Sequence, residues 1–401
     1  MSSADASALF DGSRLQLARQ LKRLRKSDLA RLISKSPTAV AGWESGAKRP
    51  TAATVSELAL ALGVDPAFFA VRHRDVVATS GVPHFRSLRS TSQLSRDEAF
   101  AWGQLALDVA NTLERHVEFP DVDVPRMQAD VEDLASDVPE RAAQHVRQVW
   151  RIEHGPIRHT VRLLENHGIL VIFSPPQTAS VDAYSFDSHL RPVVVLNPMK
   201  HDYYRQRFDV AHELGHIVMH GDAEPGGRIV EEQANRFAAE FLMPATQIQE
   251  LLPSSMAGNT WTRLAMLKEH WGVSMQALLY RARRLGRLRD VSYRNAMTTI
   301  SSRGWRRQEP GQVQTLEQPS LLPRAVELLV AESVSEIDLV AECRVPLSLF
   351  RTITARTPIT PEVPNSPKEQ CDSDVGNAVL AFPRSSTVSL GEGVPLKKDL
   401  H

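Results

Sequence analysis

The sequence predicts a multidomain chain: an all-α N-terminal module, an α+β module built on a small sheet, and a helical C-terminal extension. Three observations support this. The chain has 401 residues, enough for two or three cores. Its first 70 residues hold short helical patterns separated by turn signals. Past Gly168 the period changes, and short β-branched runs replace helical spacing.

Leu15, Ala18, Leu21 and Leu24 recur at three-residue steps, "DLARLI" at 28–33 continues the helical pattern, and Ser36-Pro37 opens a helix that Gly46 ends. In "TAATVSELALALGV", Val55, Leu58, Ala59 and Leu62 share one face. Residues 71–89 have no sustained period and read as linker. Helices are expected over 95–117 and 138–167, the second interrupted at Gly155-Pro156. "ILVIF" and "PVVVLN" read as strands with prolines behind them, and "SVDAYSF" as a third between them. After Pro244 "RLAMLKEHWGVSMQALLYRARRLGRL" returns to helix, and two more helices are expected in 321–354. The last 45 residues hold six prolines and little apolar content, which predicts a disordered tail. The expected units are 1–72, 73–149 as linker and connector, 150–256, 257–310 as helical extension, 311–356 as C-terminal helices, and 357–401 as tail.

Lys+Arg and Asp+Glu both total 47, so net charge points to neither nucleic acid nor membrane. The charge is unevenly spread. From Arg14 to Arg49 ten basic residues face two acids, Asp28 and Glu44, a net of +8 where a polyanion would bind. Two cysteines, Cys343 and Cys371, cannot build a four-cysteine zinc site or a disulfide framework, which fits a reducing cytoplasm. No signal-peptide layout opens the chain, and no apolar run approaches the ~18 residues of a membrane span.

The basic block has helix-turn-helix spacing. A first helix carries the small Ala30, a turn lies at Ser34-Lys35, and a second helix starts at Ser36. Such a second helix locks to the first by its apolar side, here Val40 and Trp43, and offers its N-terminal side chains to the major groove. Thr38, Ala39 and Ala41 then face bases, while Lys35, Lys48 and Arg49 face phosphates. Two alanines offer little hydrogen bonding, so readout would lean on few polar groups or on DNA shape. "SPTAVAGWESGAKRPTAATVSELALALGV" resembles the lambda-repressor-like, or XRE, helix-turn-helix. That family usually carries Gln at the start of the first motif helix, and Lys26 stands at the matching position.

A second pattern lies at 207–220, "RFDVAHELGHIVMH". Helical residues four apart are separated by about 40° and about 6 Å, so His212 and His216 converge on one point. Glu213 sits on the neighbouring face, placed to take a proton from water activated at an ion, as in H-E-x-x-H hydrolases. His220 lies about 12 Å along the axis from His212, too far to share the ion. A metzincin would need histidine at Asp222, and that class is excluded. The third ligand is sought in "VEEQANRFAAEFLMP", where Val230, Ala234, Phe237, Ala238 and Phe241 mark a core face and Glu231 and Asn235 share an adjacent stripe. Glu231 would complete a His₂Glu set with an open position, and Asn235 would hold an imidazole by hydrogen bond. Glu232 competes as ligand.

These two stretches, with "VDAYSF" and "RPVVVLN" before them, resemble the ImmA/IrrE metallopeptidases, a gluzincin-like group, over about residues 150–250. The resemblance implies Zn²⁺ held by His212, His216 and Glu231, with Glu213 as general base. "LKEHWGVSMQALLYRARRLG" and "SSRGWRRQEP" resemble the helical extension of fused members. Understood members cleave helix-turn-helix repressors, so the expected function is a DNA-binding regulator with a zinc endopeptidase cleaving itself, a partner repressor or an antitoxin. The alternative is a transcription factor whose peptidase-like domain senses a ligand, metal or partner without turnover. The expected partners are operator DNA, a protein substrate and a second copy of the chain, with no membrane. An extended substrate would add to an open sheet edge near "VDAYSF". Tyr184, His189, Tyr203, Tyr204 and His220 are candidates for oxyanion donor.

Overall fold

The N-terminal helices start where short polar side chains accept orphan backbone N–H groups. Helix α1 (Ser3–Ala8) is capped by Ser2, α2 (Gly12–Leu21) by Asp11, α4 (Pro37–Glu44) by Ser36 and α5 (Ala52–Leu62) by Thr51. Between α2 and α4 runs α3 (Lys26–Leu32). The α3–α4 turn places Ser34 at φ 53°, and Gly63 at φ 66° ends α5. Leu15, Leu29, Val40, Val55, Leu58 and Leu62 are fully buried between these helices. The computed structural model describes residues 2–70, 84–85, 92–175, 183–200, 202–221, 227–311 and 314–358. All fall in one compact unit, Met1–Thr360.

The connector is not a passive spacer. After β1 (His84–Phe85) comes α6 (Gln93–Leu113), whose Trp102, Leu105, Leu107, Val109 and Leu113 are at most 1 % exposed. A helix buried all round is a core element, and α6 packs against α2 on one side. Helices α7 (Val138–Val149) and α8 (Thr160–Asn166) follow, the break at Gly155-Pro156 falling between them.

Strands β2 (Leu170–Phe173), β3 (Tyr184–Phe186) and β4 (Val193–Leu196) join β1 in the order β1-β3-β4-β2. The β2–β4 pair is parallel, while β3–β4 and β1–β3 are antiparallel. Every residue of β2, β3 and β4 is buried, so both faces of the sheet are covered. Side chains alternate between the two faces. Leu170, Ile172, Tyr184, Phe186, Val193 and Val195 join a core with α6 and the N-terminal helices. Val171, Phe173, Val194 and Leu196 join a second core with α9 (Tyr203–Met219) and α10 (Arg228–Leu242).

Past α10 come α11 (Ala245–Ile248), α12 (Thr260–Trp271), α13 (Met275–Arg284) and α14 (Asp290–Ser302), which extend the second core. The C-terminal segment forms three helices rather than the expected two: α15 (Leu321–Ala331), α16 (Glu336–Cys343) and α17 (Leu347–Ile353). Arg344 takes a positive φ of 51° at the end of α16, two residues before Pro346, which cannot continue the helix. These helices return to α6 and join the first core. Most of the 71–89 linker and nearly all of the 357–401 tail, Cys371 included, lie outside the described residues. No described helix is long and apolar enough to cross a membrane.

Candidate functional site

Helix α9 begins at Asp202, whose side chain accepts from the N–H of Tyr204 and Arg205, and runs to its C-cap at His220. His212 and His216 are fully buried on it. Helix α10 crosses closely because Gly215 has no side chain. A Cβ there would sit 3.0–3.2 Å from Phe237 atoms. That approach brings Glu231 to the histidines. His212 Nε2 lies 3.0 Å from His216 Nε2 and 3.4 Å from Glu231 Oε2, and His216 Nε2 lies 3.7 Å from Glu231 Oε1. Donors about 2 Å from one ion at tetrahedral angles stand about 3.4 Å apart, so the spacing and chemistry of the three suit zinc. Among the described residues this is the His/Cys/Asp/Glu grouping that fits a metal ion. Glu232 is directed elsewhere and accepts from the Tyr280 hydroxyl at 2.8 Å.

The outer ring nitrogens are held from behind. His212 Nδ1 meets Asn235 Oδ1 at 3.1 Å. For His216 the chain is longer. Gln233 donates both amide protons to backbone carbonyls, Asp130 at 2.7 Å and Asp133 at 3.0 Å, so its Oε1 faces His220 Nε2 at 2.9 Å. A neutral His220 therefore carries its proton on Nε2 and accepts at Nδ1 from His216 Nδ1–H, 3.1 Å away. His216 Nε2 is left with its lone pair toward Glu231 and His212. His220 thus orients the His216 ring from behind.

Glu213 is 1 % exposed, and Ser185 Oγ on β3 donates to its Oε2 at 2.7 Å. Ser185 and Gln233 both escaped sequence reasoning. A polar residue at an inward position of the short strand β3 was the visible signal for Ser185. The proposed oxyanion donors fare unevenly. Tyr184 is buried and donates to the Ala99 carbonyl at 2.5 Å, with burial holding its hydroxyl well above the usual range. Tyr204 stacks edge-on with Tyr203 under Lys268, and burial raises it to about 12. His220 is committed to the tautomer chain, and His189 is exposed.

At the other end of the chain, Val40 and Trp43 face the α2–α3 core, as the helix-turn-helix reading requires. Thr38, Lys35 and Lys48 are exposed, and Ala39 and Ala41 are half-buried. Three basic positions have intramolecular ties. Lys26 lies 3.3 Å from Glu44, Lys35 lies 3.5 Å from Glu57, and Arg49 donates to the Ala8 carbonyl at 3.2 Å. Glu44 also takes Arg19 at 2.5 Å, so this acid fastens α2 and α3 to α4.

Residues 15–69 match the helix-turn-helix family model, and residues 164–283 match the IrrE N-terminal-like domain of the M78 peptidase family. The chain fuses these two domains. No curated protein matches it. The IrrE-like match contains β2, β3, β4, α9 and α10, the elements that assemble the His212–His216–Glu231 cluster. The helix-turn-helix match spans α2 through α5.

Proposed function

We propose that the chain is a DNA-binding regulator whose IrrE-like domain is a zinc-dependent endopeptidase. The observation that carries this is the convergence of His212, His216 and Glu231, with Glu213 following His212 in the chain. His212, His216 and Glu231 would hold zinc, with Asn235 orienting His212. Zinc, when bound there, supplies a Lewis acid and lowers the pKa of water. Glu213 takes the proton of the attacking water and returns it to the leaving amine. Ser185 holds the Glu213 carboxylate in place through its hydroxyl. The substrate class is a protein chain: this chain itself, a separate helix-turn-helix repressor or an antitoxin.

For the N-terminal domain we place Thr38, Ala39 and Ala41 at base edges, Lys35, Lys48 and Arg49 at phosphates and Lys26 at the DNA contact where the family carries Gln, in a homodimer on paired half-sites. The test incubates zinc-loaded wild type and Glu213→Gln with repressors from neighbouring genes. Wild type is expected to cut, and Glu213→Gln to hold zinc yet cut at least ~100-fold more slowly. Stoichiometric zinc with no cleavage of any protein, itself included, removes the peptidase reading and leaves a sensor. On operator DNA, Lys35→Ala with Arg49→Ala should lower the slope of log affinity against log salt by about 2. An unchanged slope removes the phosphate assignment.

A further inference from the structure

The sheet edge nearest Glu213 is already occupied. Strand β3 carries Ser185, whose hydroxyl donates to Glu213 Oε2, so a polypeptide on the outer side of β3 lies one strand spacing, about 4.8 Å, from the residue that holds this carboxylate. One side of β3 is taken by β4. The other side was expected to be open, and it pairs with β1: His84 lies opposite Ser185 and Phe85 opposite Tyr184, antiparallel. An extended peptide binds a peptidase by main-chain hydrogen bonds to such an edge, independently of its side chains. Strand β1 makes that contact from within the same chain, and it belongs to the segment between the helix-turn-helix match, which ends at residue 69, and α6.

We propose that β1 is a resident ligand, in cis, of the outer edge of β3, the edge on which an extended peptidase substrate would pair. This rests on the peptidase reading above and names what the site binds: an extended polypeptide laid antiparallel on β3, with Ser185 at the centre of its register. The inter-domain segment competes with every polypeptide offered from outside. A foreign substrate strand pairs only when His84 and Phe85 leave the edge.

The experiment uses full-length, zinc-loaded Glu213→Gln, which separates binding from turnover, and a fluorescent peptide of sequence GVPHFRSL, residues 81–88. A second chain adds His84→Pro and Phe85→Pro, which removes both backbone donors of β1. Zinc content and thermal midpoint verify that it is folded. The peptide is expected to bind the proline chain at least ~10-fold more tightly than the parent. Hydrogen exchange should speed up at whichever of Tyr184 and Ser185 points its amide to β1, and slow again when peptide is added. Equal affinity for the two chains, including no binding to either, overturns the proposal, as does unchanged exchange at both amides. Failure of the peptidase reading looks different. In that case wild type hydrolyses nothing while the difference in peptide affinity persists.

Discussion

Among single residues, His220 shows how a side chain behind the proposed metal cluster can orient one of its members, His216. Its Nδ1 accepts from His216 at 3.1 Å and its Nε2–H is fixed by Gln233. A phenylalanine there keeps the ring volume and removes both hydrogen bonds, so His216 is free to turn its proton-bearing nitrogen toward the ion. His220→Phe should weaken zinc affinity about 10- to 100-fold, read by competition with a chromogenic chelator. An unaltered dissociation constant would show that the relay does nothing for the metal. Sequence spacing singled out His212, His216, Glu213 and Glu231 as candidates because helix periodicity is local, and the structure gathers His212, His216 and Glu231 into one cluster. It set His220 aside as a ligand, which the geometry supports, but it could not supply the Gln233 link. That link depends on the carbonyls of Asp130 and Asp133, about a hundred residues upstream.

Among elements, the decisive contact is the strap at 314–320 that ties the C-terminal helices to the IrrE-like domain. Glu317 is 4 % exposed and accepts from the Thr160 hydroxyl at 2.6 Å, from the Val161 N–H at 2.8 Å and from Arg207. Arg207 is itself 1 % exposed, on the helix that bears the histidines. Deleting the carboxylate leaves a buried guanidinium without its anion. Glu317→Ala should therefore cost about 3–5 kcal/mol of unfolding free energy, measured by urea denaturation. A loss below about 1 kcal/mol would mean that the strap is dispensable. Glu165 adds a second tie, accepting from the Ser320 and Leu321 N–H groups. No pattern in "GQVQTLEQPSLL" signals either tie. They join positions more than a hundred residues apart, and an isolated Glu in a polar stretch reads as solvated surface. Most helices were legible from their periodicity, and β2 and β4 from their β-branched runs, whereas β3, Tyr184–Phe186, holds no β-branched residue and was expected only from its place between them. The pairing of β1 was not, since two residues carry no period.

Over the whole molecule, the N-terminal domain meets α6 at a carboxyl that should register pH. Burial pushes Glu98 up to about 7 against the opposing pull of Arg23, whose Nε lies 3.5 Å away. A carboxyl raised in the folded state favours its neutral form there. Its contribution to stability is full below about pH 4.5 and is lost as pH climbs through about 7. Allowing for screening at the half-exposed Arg23, this amounts to about 2 kcal/mol. Glu98→Gln should flatten the fall in stability between pH 4.5 and 7, seen by chemical denaturation at a series of pH values. Parallel profiles for variant and wild type would assign the titration elsewhere.

The sheet has one further consequence. Its alternate side chains belong to different cores, one shared with the helix-turn-helix domain and one with α9 and α10. It is a common wall between the two, only one strand thick. Thermodynamic linkage then makes the traffic across it symmetrical. If operator DNA changes zinc affinity by some factor, zinc must change operator affinity by that same factor. A chelator titration with and without operator thus measures the communication between the domains from either end.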